Sequence, residues 1–172
     1  MLQKKQALIS LILFVFVTGL LSAEAGVSFV SNSNVYAGSV KAEGSVSGCT
    51  NGACDRVVMN VTGTALTGFC RNEGGLIVPG AKRVTVDTNT TAQFIFEGTS
   101  DSETREFFIS TEILPTREAA GCPSSNWTVV DLTGPITVAL SVYEKGNPLP
   151  SDNQVFACQA VLGSATDCIR VE

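Results

Sequence analysis

The sequence contains no histidine, only one tryptophan and fewer basic than acidic residues. Without histidine, neither a Ser-His-Asp nor a Cys-His catalytic arrangement can form. The same absence, together with the lack of any C-x-x-C pair, argues against a zinc site. A net charge of −5, from 11 Lys and Arg against 16 Asp and Glu, argues against binding nucleic acid through a basic patch. We expect a protein that is not an enzyme and has no catalytic residue, cofactor or metal ligand.

The first 25 residues have the layout of a signal peptide. Lys4 and Lys5 precede an apolar run over residues 7–21, and Ala23-Glu24-Ala25 forms an A-x-A cleavage pattern. The run is shorter than the roughly 20 residues that span a bilayer, which disfavours an uncleaved anchor. Cleavage after Ala25 removes two lysines and one glutamate, so 147 residues with a net charge of −6 remain. We predict a protein that is secreted, extracellular or at the cell surface, with no membrane insertion after cleavage.

Six cysteines lie beyond the predicted cleavage site: Cys49, Cys54, Cys70, Cys122, Cys158 and Cys168. An even number of cysteines in an exported chain indicates three disulfides, for which fifteen pairings exist. Short spacing favours a bond between Cys49 and Cys54. It likewise favours one between Cys158 and Cys168. Cys70 would then pair with Cys122, a long-range bond that stabilises the fold by about 4 kcal/mol because it restricts the unfolded chain. Spacing only ranks these pairings and leaves the others open.

Past the signal peptide, apolar and polar residues alternate with the two-residue period of strands. The clearest apolar sets are Val57, Met59 and Val61; Val84 and Val86; Ala92, Phe94 and Phe96; and Ile136, Val138, Leu140 and Val142. Turn residues such as Pro79-Gly80 and Gly134-Pro135 separate the sets, and only residues 116–120 indicate a helical turn. Eight or nine short strands without a linker predict one domain over residues 39–172. We expect an all-β, antiparallel β-sandwich, immunoglobulin-like or Greek-key, stapled by disulfides.

Residues 26–38 are polar and weakly patterned, and two interpretations of them stay open. The segment is either a flexible N-terminus or a donor strand. In the second case Val27, Phe29 and Val35 would enter the sheet of a neighbouring subunit, and the protein would be its own partner.

Two loops resemble a known family in their sequence patterns. Cys70-Arg71-Asn72-Glu73-Gly74-Gly75 is followed by Pro79-Gly80, and residues 121–128 read Gly-Cys-Pro-Ser-Ser-Asn-Trp-Thr. These stretches resemble the C-x-N-P-G-G, P-G and C-P-N-x-N-W-T patterns of small exported β proteins, mostly bacterial, to which no function is assigned. The sequence departs from the patterns at Glu73 and Ser124 and in its outer cysteine pairs. The resemblance supports an all-β fold and a bond between Cys70 and Cys122, and it implies no activity.

Trp127 follows the second loop and opens the predicted strand of Val130 and Leu132. Two roles are open to a single tryptophan in this position. Packing against the core, where the ring would shield a disulfide, is favoured over a carbohydrate-stacking platform on the surface.

The remaining candidate sites are an acidic group and three sequons. Asp101, Glu103 and Glu106 lie at a predicted turn and strand entry, where solvated surface is favoured over weak calcium binding. Three N-x-S/T patterns, about as many as chance predicts, mark candidate glycosylation sites at Asn60, Asn89 and Asn126. In a host that glycosylates, Asn89 in its Thr-rich turn is the favoured acceptor.

Three function classes follow from these features. We favour a secreted non-catalytic module with an adhesive, matrix or cell-surface role and an unidentified extracellular ligand. The first alternative is a pilus-like filament subunit that assembles by donation of residues 26–38. The second is a small secreted effector, either an inhibitor that presents the loop from Arg71 to Lys82 or a minor hydrolase.

Overall fold

The computed structural model describes residues 26–31, 33–37, 40–87, 92–99, 102–161 and 166–172. The predicted signal peptide, Gly38, Asn89 and Asp101 lie outside these residues. The strands are β1 (Ser28–Phe29), β2 (Asn34–Ala37), β3 (Val40–Ser47), β4 (Cys54–Arg71), β5 (Ile77–Asp87), β6 (Ala92–Ile95), β7 (Thr104–Thr111), β8 (Thr128–Glu144), β9 (Pro150–Ala160), β10 (Thr166–Asp167) and β11 (Ile169–Arg170). One short helix, α1 (Arg117–Ala120), lies between β7 and β8, where the sequence predicts a helical turn.

The strands form two sheets, and the pairings within both are antiparallel. In the first sheet, β3 pairs with β7 along one edge and with β1 and β2 along the other, and β10 pairs with β2. In the second sheet, β4 pairs with β8, and β9 and β11 continue the sheet beyond β8. β5 and β6 both pair with the opposite edge of β4. The predicted all-β antiparallel sandwich is confirmed, whereas an immunoglobulin-like or Greek-key strand order stays a prediction.

A single cluster of buried side chains forms the core. The alternation that predicts strands also predicts the inward residues of β4 and β8, since these are buried: Val57, Met59, Val61, Ile136, Val138, Leu140 and Val142. Burial of a side chain of this size contributes about 1.5–3 kcal/mol relative to exposure. The apolar face of each strand is therefore the main determinant of which side packs inward.

Two predicted turns lie inside strands. β4 and β8 have 18 and 17 residues, so the expectation of short strands is wrong for them. Gly134-Pro135 lies within β8, opposite a bulge at residues 64–65 where the pairing of β4 shifts by one residue. Pro79-Gly80 lies within β5, an edge strand that tolerates a residue without a backbone N–H. Composition marks both dipeptides as turns, but pairing with a long neighbouring strand keeps the chain extended.

The described part of residues 26–38 belongs to the sheet of its own chain. β1 and β2 pair with β3, and Val27, at 2% exposure, is buried in the core with Phe29 and Val35. The structure thus differs from the interpretation of this segment as a flexible terminus. Two strands of two and four residues are too short to show a period in the sequence, although their apolar side chains reach the core.

Side chains of β9 hold this N-terminal segment against the second sheet. The Phe29 N–H donates to Asp152 Oδ2 over 3.0 Å, and the Ser33 N–H donates to Gln154 Oε1 over 2.9 Å. Gln154 also donates from Nε2 to the Ser31 carbonyl over 2.8 Å. Because Gln154 is almost fully buried, these bonds satisfy a polar side chain that the core would otherwise penalise.

The three disulfides join Cys49 to Cys54, Cys70 to Cys122, and Cys158 to Cys168. These are the pairings that spacing ranks first. The bond from Cys49 ties the end of β3 to the start of β4, where the chain passes from the first sheet to the second. The bond from Cys158 ties β9 to the residue between β10 and β11. Three disulfides indicate an oxidising, extracellular-type environment.

Candidate functional site

The bulge in β4 divides the second sheet into two halves. The sandwich half consists of residues 54–63 of β4 and 136–144 of β8, with β6 and most of β9. The extension consists of residues 66–71 of β4, 128–135 of β8 and 77–84 of β5. Neither β3 nor β7 exceeds 8 residues, so the first sheet covers only part of a strand as long as β4.

Residues 112–127, which we call the strap, cover the inner face of the extension. α1 within the strap begins after Thr116, whose Oγ1 accepts a hydrogen bond from the Ala119 N–H over 3.2 Å. It ends at Gly121, whose left-handed conformation terminates the turn. The Gly121 carbonyl accepts from the Ala81 N–H of β5 over 3.1 Å. The short helix thus connects back to the edge of the extension.

Close packing and a disulfide attach the strap to the extension. Ala120 is fully buried, and a Cβ at Gly68 would lie 2.9 Å from the Ala120 Cβ. A Cβ at Gly80 would overlap the Ala120 carbonyl oxygen. The bond between Cys70 and Cys122 fixes the same contact covalently. The glycine of Pro79-Gly80 therefore permits close approach of the strap, which is a different role from the predicted turn.

Trp127 lies at the end of the strap, directly before β8. Its side chain is partly buried and packs against the core, as do Cys122 and Val129 beside it. The prediction that the tryptophan packs inward, instead of forming an exposed stacking platform, is confirmed.

The two loops that carry the family resemblance meet at the tip of the extension. Asn72 closes the turn between β4 and β5, because its Oδ1 accepts from the Leu76 N–H over 2.9 Å and its carbonyl accepts from the Gly75 N–H over 3.0 Å. A depression of about 390 Å³ beside this turn is lined by Arg71, Asn72, Glu73, Gly75, Asn126 and Thr128. Residues that are far apart in the sequence thus form one surface.

The segment from Arg71 to Lys82 forms a hairpin. Only residues 72–76 lie between β4 and β5, and Lys82 lies within β5. The Lys82 Nζ donates to the Glu118 carbonyl of the strap over 3.2 Å. Arg71 pairs with Ile77, and Val78 and Pro79 also pair with β4, whereas residues 72–76 form the turn and residues 80–82 lie at a register shift. The inhibitor role of this loop stays a prediction.

The outer face of the extension, which points away from the strap, carries an aromatic ring near two arginines. Thr67, Phe69 and Arg71 point to this face, because they alternate along β4 with buried residues at positions 66, 68 and 70. Phe69 is half-buried and lies apart from the core cluster. The strand pairing places Arg83 of β5 opposite Thr67, and Asp131 of β8 opposite Phe69.

The two arginines of the outer face differ in their hydrogen bonding. Arg83 donates from its guanidinium to Thr67 Oγ1. The exposed guanidinium of Arg71 has no hydrogen bond or ion pair to any residue that the structure describes. On the strap, by contrast, the hydrogen bond from Arg117 lowers the pKa of the Glu118 carboxyl below its usual value. The Arg71 guanidinium is therefore a donor on this face that no described residue occupies.

One carboxylate lies on the outer face with these cations. Asp131 accepts a hydrogen bond at Oδ1 from the Leu132 N–H over 2.7 Å. Threonines of β8 share this face, since Thr133 lies opposite Thr67 and Thr128 lies opposite Arg71. The face thus combines guanidinium donors, a carboxylate acceptor, hydroxyls and an apolar ring, which are groups suited to binding a polar ligand.

A second depression, of about 450 Å³, lies on the first sheet and is lined by Asn34, Glu43, Gly44, Ser45, Phe94, Glu106, Phe107 and Phe108. Phe108 is 54% exposed and lies opposite Glu43 in the pairing of β7 with β3. Glu106 belongs to the predicted acidic group, and Glu103 is exposed just before β7. Within residues 26–172, apart from the stretches that are not described, no three acidic, Cys or His side chains form a metal-binding group.

The structure separates the three candidate glycosylation sites. Asn126 is exposed and lines the depression at the tip of the extension, so a glycan there would occupy part of that surface. Asn60 is partly buried on β4 and lies opposite Ala139 of β8. Asn89, the favoured acceptor, lies outside the described residues.

The sequence pattern does not single out Phe69 and Arg83. The inward positions between residues 66 and 70 are occupied by Leu66, Gly68 and Cys70, and a glycine within such a set hides the two-residue period. The available signal was the run Thr67, Phe69 and Arg71 read against Leu66 and Cys70. Nothing in the sequence, however, indicates which residue of β5 lies opposite, because the bulges set that register.

No helix among the described residues has the length and apolar character needed to cross a membrane. No protein-family model, curated protein or solved structure matches the chain, so the resemblance of its two loops stays a prediction.

Proposed function

We propose that the chain is secreted after cleavage behind Ala25 and acts outside the cell as a non-catalytic module that binds a ligand through the outer face of the extension. The observation that carries this proposal is the exposed Arg71 guanidinium, unpartnered among the described residues and on the same face of β4 as Phe69. A charged group and an aromatic ring on one face of a sheet provide both specificity and contact area for a ligand.

The anchoring of the extension supports a binding role. The strap, the bond between Cys70 and Cys122 and the turn at Asn72 restrain the strands that carry the outer face. Binding costs conformational entropy when the groups that contact a ligand are mobile, so a face that is already ordered binds more tightly for the same contacts. The same cross-links suit a protein that works where chaperones are absent.

Secretion is supported by the arrangement of residues 1–25 and by the three disulfides. Mass spectrometry of the exported protein tests it. We expect a mature chain that starts at Gly26 and gains 6 mass units on reduction of its disulfides. Retention of residues 1–25 in the mature protein would contradict the proposal of a cleaved signal peptide.

A sedimentation assay tests the binding function. The oxidised protein is mixed with insoluble polysaccharides and matrix polymers, and the bound fraction and the polymer length are measured. We expect binding without shortening of the polymer, and loss of binding in Phe69→Ser. Phe108→Ser, which alters the exposed ring of the first sheet, is the matched control and should bind normally. Loss of binding only in Phe108→Ser would transfer the site to the first sheet, and shortened polymer would indicate a hydrolase.

Self-assembly is a second candidate function, favoured by the N-terminal segment. β1 and β2 add to the edge of β3, and Val27, Phe29 and Val35 fill the core as residues of a donated strand would. Exchange of this segment between two copies would preserve every contact. Light scattering and negative-stain microscopy on the oxidised protein test this proposal. Ordered polymers would support the exchange, and a monodisperse monomer at all concentrations would rule it out.

A further inference from the structure

We propose that the ligand of the outer face is an anionic polysaccharide whose carboxylate or sulfate groups pair with Arg71 and Arg83. This inference rests on the proposed binding function and adds the chemical class of the ligand. Arginine is the side chain best suited to such a ligand, because its planar guanidinium binds a carboxylate or sulfate through two parallel hydrogen bonds.

The separation of the arginines indicates a polymer. Arg83 lies opposite Thr67, which precedes Arg71 by four positions on β4. With a rise of about 3.3 Å per residue, the two guanidinium groups originate about 13 Å apart along the strand direction. A polymer with anionic groups on separate units can pair with both arginines at this spacing. Phe69 lies between them, where a sugar ring could stack.

The remaining groups of the face favour a polysaccharide over an acidic peptide. Asp131 and the neighbouring threonines accept and donate hydrogen bonds to hydroxyls, which a sugar chain presents between its charges. The net charge of −6 on the mature chain also opposes long-range attraction of any anion, so recognition must depend on the short-range contacts of this face.

Titration calorimetry on the full mature protein with defined probes tests the inference. The probes are hyaluronan, with one carboxylate on alternate sugars, its methyl ester, dextran sulfate, dextran and polyglutamate. We expect binding to hyaluronan or dextran sulfate, whichever anion the face prefers, and at least tenfold weaker binding to the uncharged methyl ester and to dextran. A disaccharide of hyaluronan should bind at least tenfold more weakly than the polymer, because its single carboxylate can pair with only one arginine at a time.

Substitutions on the outer face provide the second arm of the experiment. We expect Arg71→Gln and Arg83→Gln each to weaken anion binding about tenfold, since each removes a charge-assisted pair. Arg71→Lys should bind more tightly than Arg71→Gln and more weakly than the parent, because lysine keeps the positive charge but lacks the paired N–H donors of the planar guanidinium. Lys145→Gln, in the exposed turn between β8 and β9, removes an equal charge from another surface and should have no effect.

Three outcomes would overturn the inference. The first is equal binding of hyaluronan and its methyl ester with no effect of either glutamine variant, which leaves the proposed binding function intact. The second is tighter binding of polyglutamate than of the sugar polymers, which would identify an acidic protein as the partner. The third is no binding of any polymer, neutral or anionic, and this outcome also contradicts the proposed function.

Discussion

The two halves of the second sheet bury their inner faces against different kinds of cover. The sandwich half lies in the two-sheet sandwich and is linked to the first sheet at Cys49 and Cys54. The extension packs against the strap, a single segment with four helical residues. Cover by a sheet is distributed over many side chains, whereas cover by the strap comes from Ile113, Ala120 and Trp127 and from one long-range disulfide.

The two halves of the second sheet are therefore expected to differ in local stability. Because only two residues of the strap, Ile113 and Ala120, are buried, we expect the extension to open at a lower free energy than the sandwich half. A face on such an element can be altered without loss of the whole fold. The proposed binding face therefore lies on the half of the second sheet with the lower expected local stability, on paired strands that the bond between Cys70 and Cys122 links to the strap.

Removal of the long-range disulfide should cause the largest loss of stability in the extension. Cys70→Ser with Cys122→Ser frees a loop with a sequence separation of 52, and we expect a loss of about 4 kcal/mol of unfolding free energy. Hydrogen exchange should show the loss first in amides of β5 and the strap. The control, Cys49→Ser with Cys54→Ser, frees a separation of only 5 and should cost about 2 kcal/mol. An equal loss of protection in both halves would show that they unfold as one unit.

Overpacking beneath the strap should have the next largest effect. Gly80→Ala introduces a methyl group that overlaps the Ala120 carbonyl, and displacement of the strap should cost about 1–3 kcal/mol in denaturant unfolding. The matched change is Gly74→Ala at the tip, where the nearest atom to the new methyl group lies 3.4 Å away. That variant should stay within about 0.5 kcal/mol of the parent. Equal stability of the two variants would mean that the strap adjusts without cost.

Loss of the side-chain cap of α1 should destabilise the strap by a smaller amount. Thr116→Ala removes the side-chain acceptor for the Ala119 N–H, and we expect a loss of about 1 kcal/mol. Thermal unfolding measures the global effect, and hydrogen exchange at Ala119 and Ala120 locates it in the strap. Ser125→Ala, an exposed change in the same segment, is the control. Unchanged exchange in the strap would show that the Thr116 side chain does not stabilise α1.

The smallest effect is expected from the pH dependence of the strap. Arg117 bonds to Glu118 and lowers the pKa of that carboxyl, so the ionised form is favoured in the folded protein. A lowered folded pKa stabilises the protein above the unfolded pKa, and this contribution is lost as the pH falls through the folded pKa. NMR titration of the Glu118 carboxyl should show a low midpoint, which Arg117→Gln should raise. An identical midpoint in both proteins would contradict this assignment.

The sandwich half was more predictable from the sequence than the extension. Runs such as Ile136 to Val142 keep a strict two-residue period of large apolar residues, and this pattern predicts both the strand and its buried face. In the extension, Gly68 and Gly80 lie where large residues would mark a strand, because the strap approaches too closely for a side chain. The sequence therefore predicts a turn at Pro79-Gly80, where the structure has an edge strand.

The candidate site was predictable only in part for the same reason. Cys70 and Cys122, together with the two loop motifs, indicated which segments meet, and the structure brings both to one tip. The alternation of Thr67, Phe69 and Arg71 was a weak signal for Phe69, whereas Arg83 gave none, because its place on the face depends on the register of β5. Two bulges in the pairing of β4 with β5 set that register.

Composition and local pattern alone determined that this chain is a disulfide-linked, all-β protein, because cysteine number, turn residues and two-residue periodicity are properties of the chain itself. The tertiary structure decided which strands are long, how residues 26–37 enter the core and where Arg71, Phe69 and Arg83 lie relative to one another. These depend on bulges and close contacts between segments far apart in the sequence. Such contacts arise only when the strands pair, so no local stretch of residues encodes them.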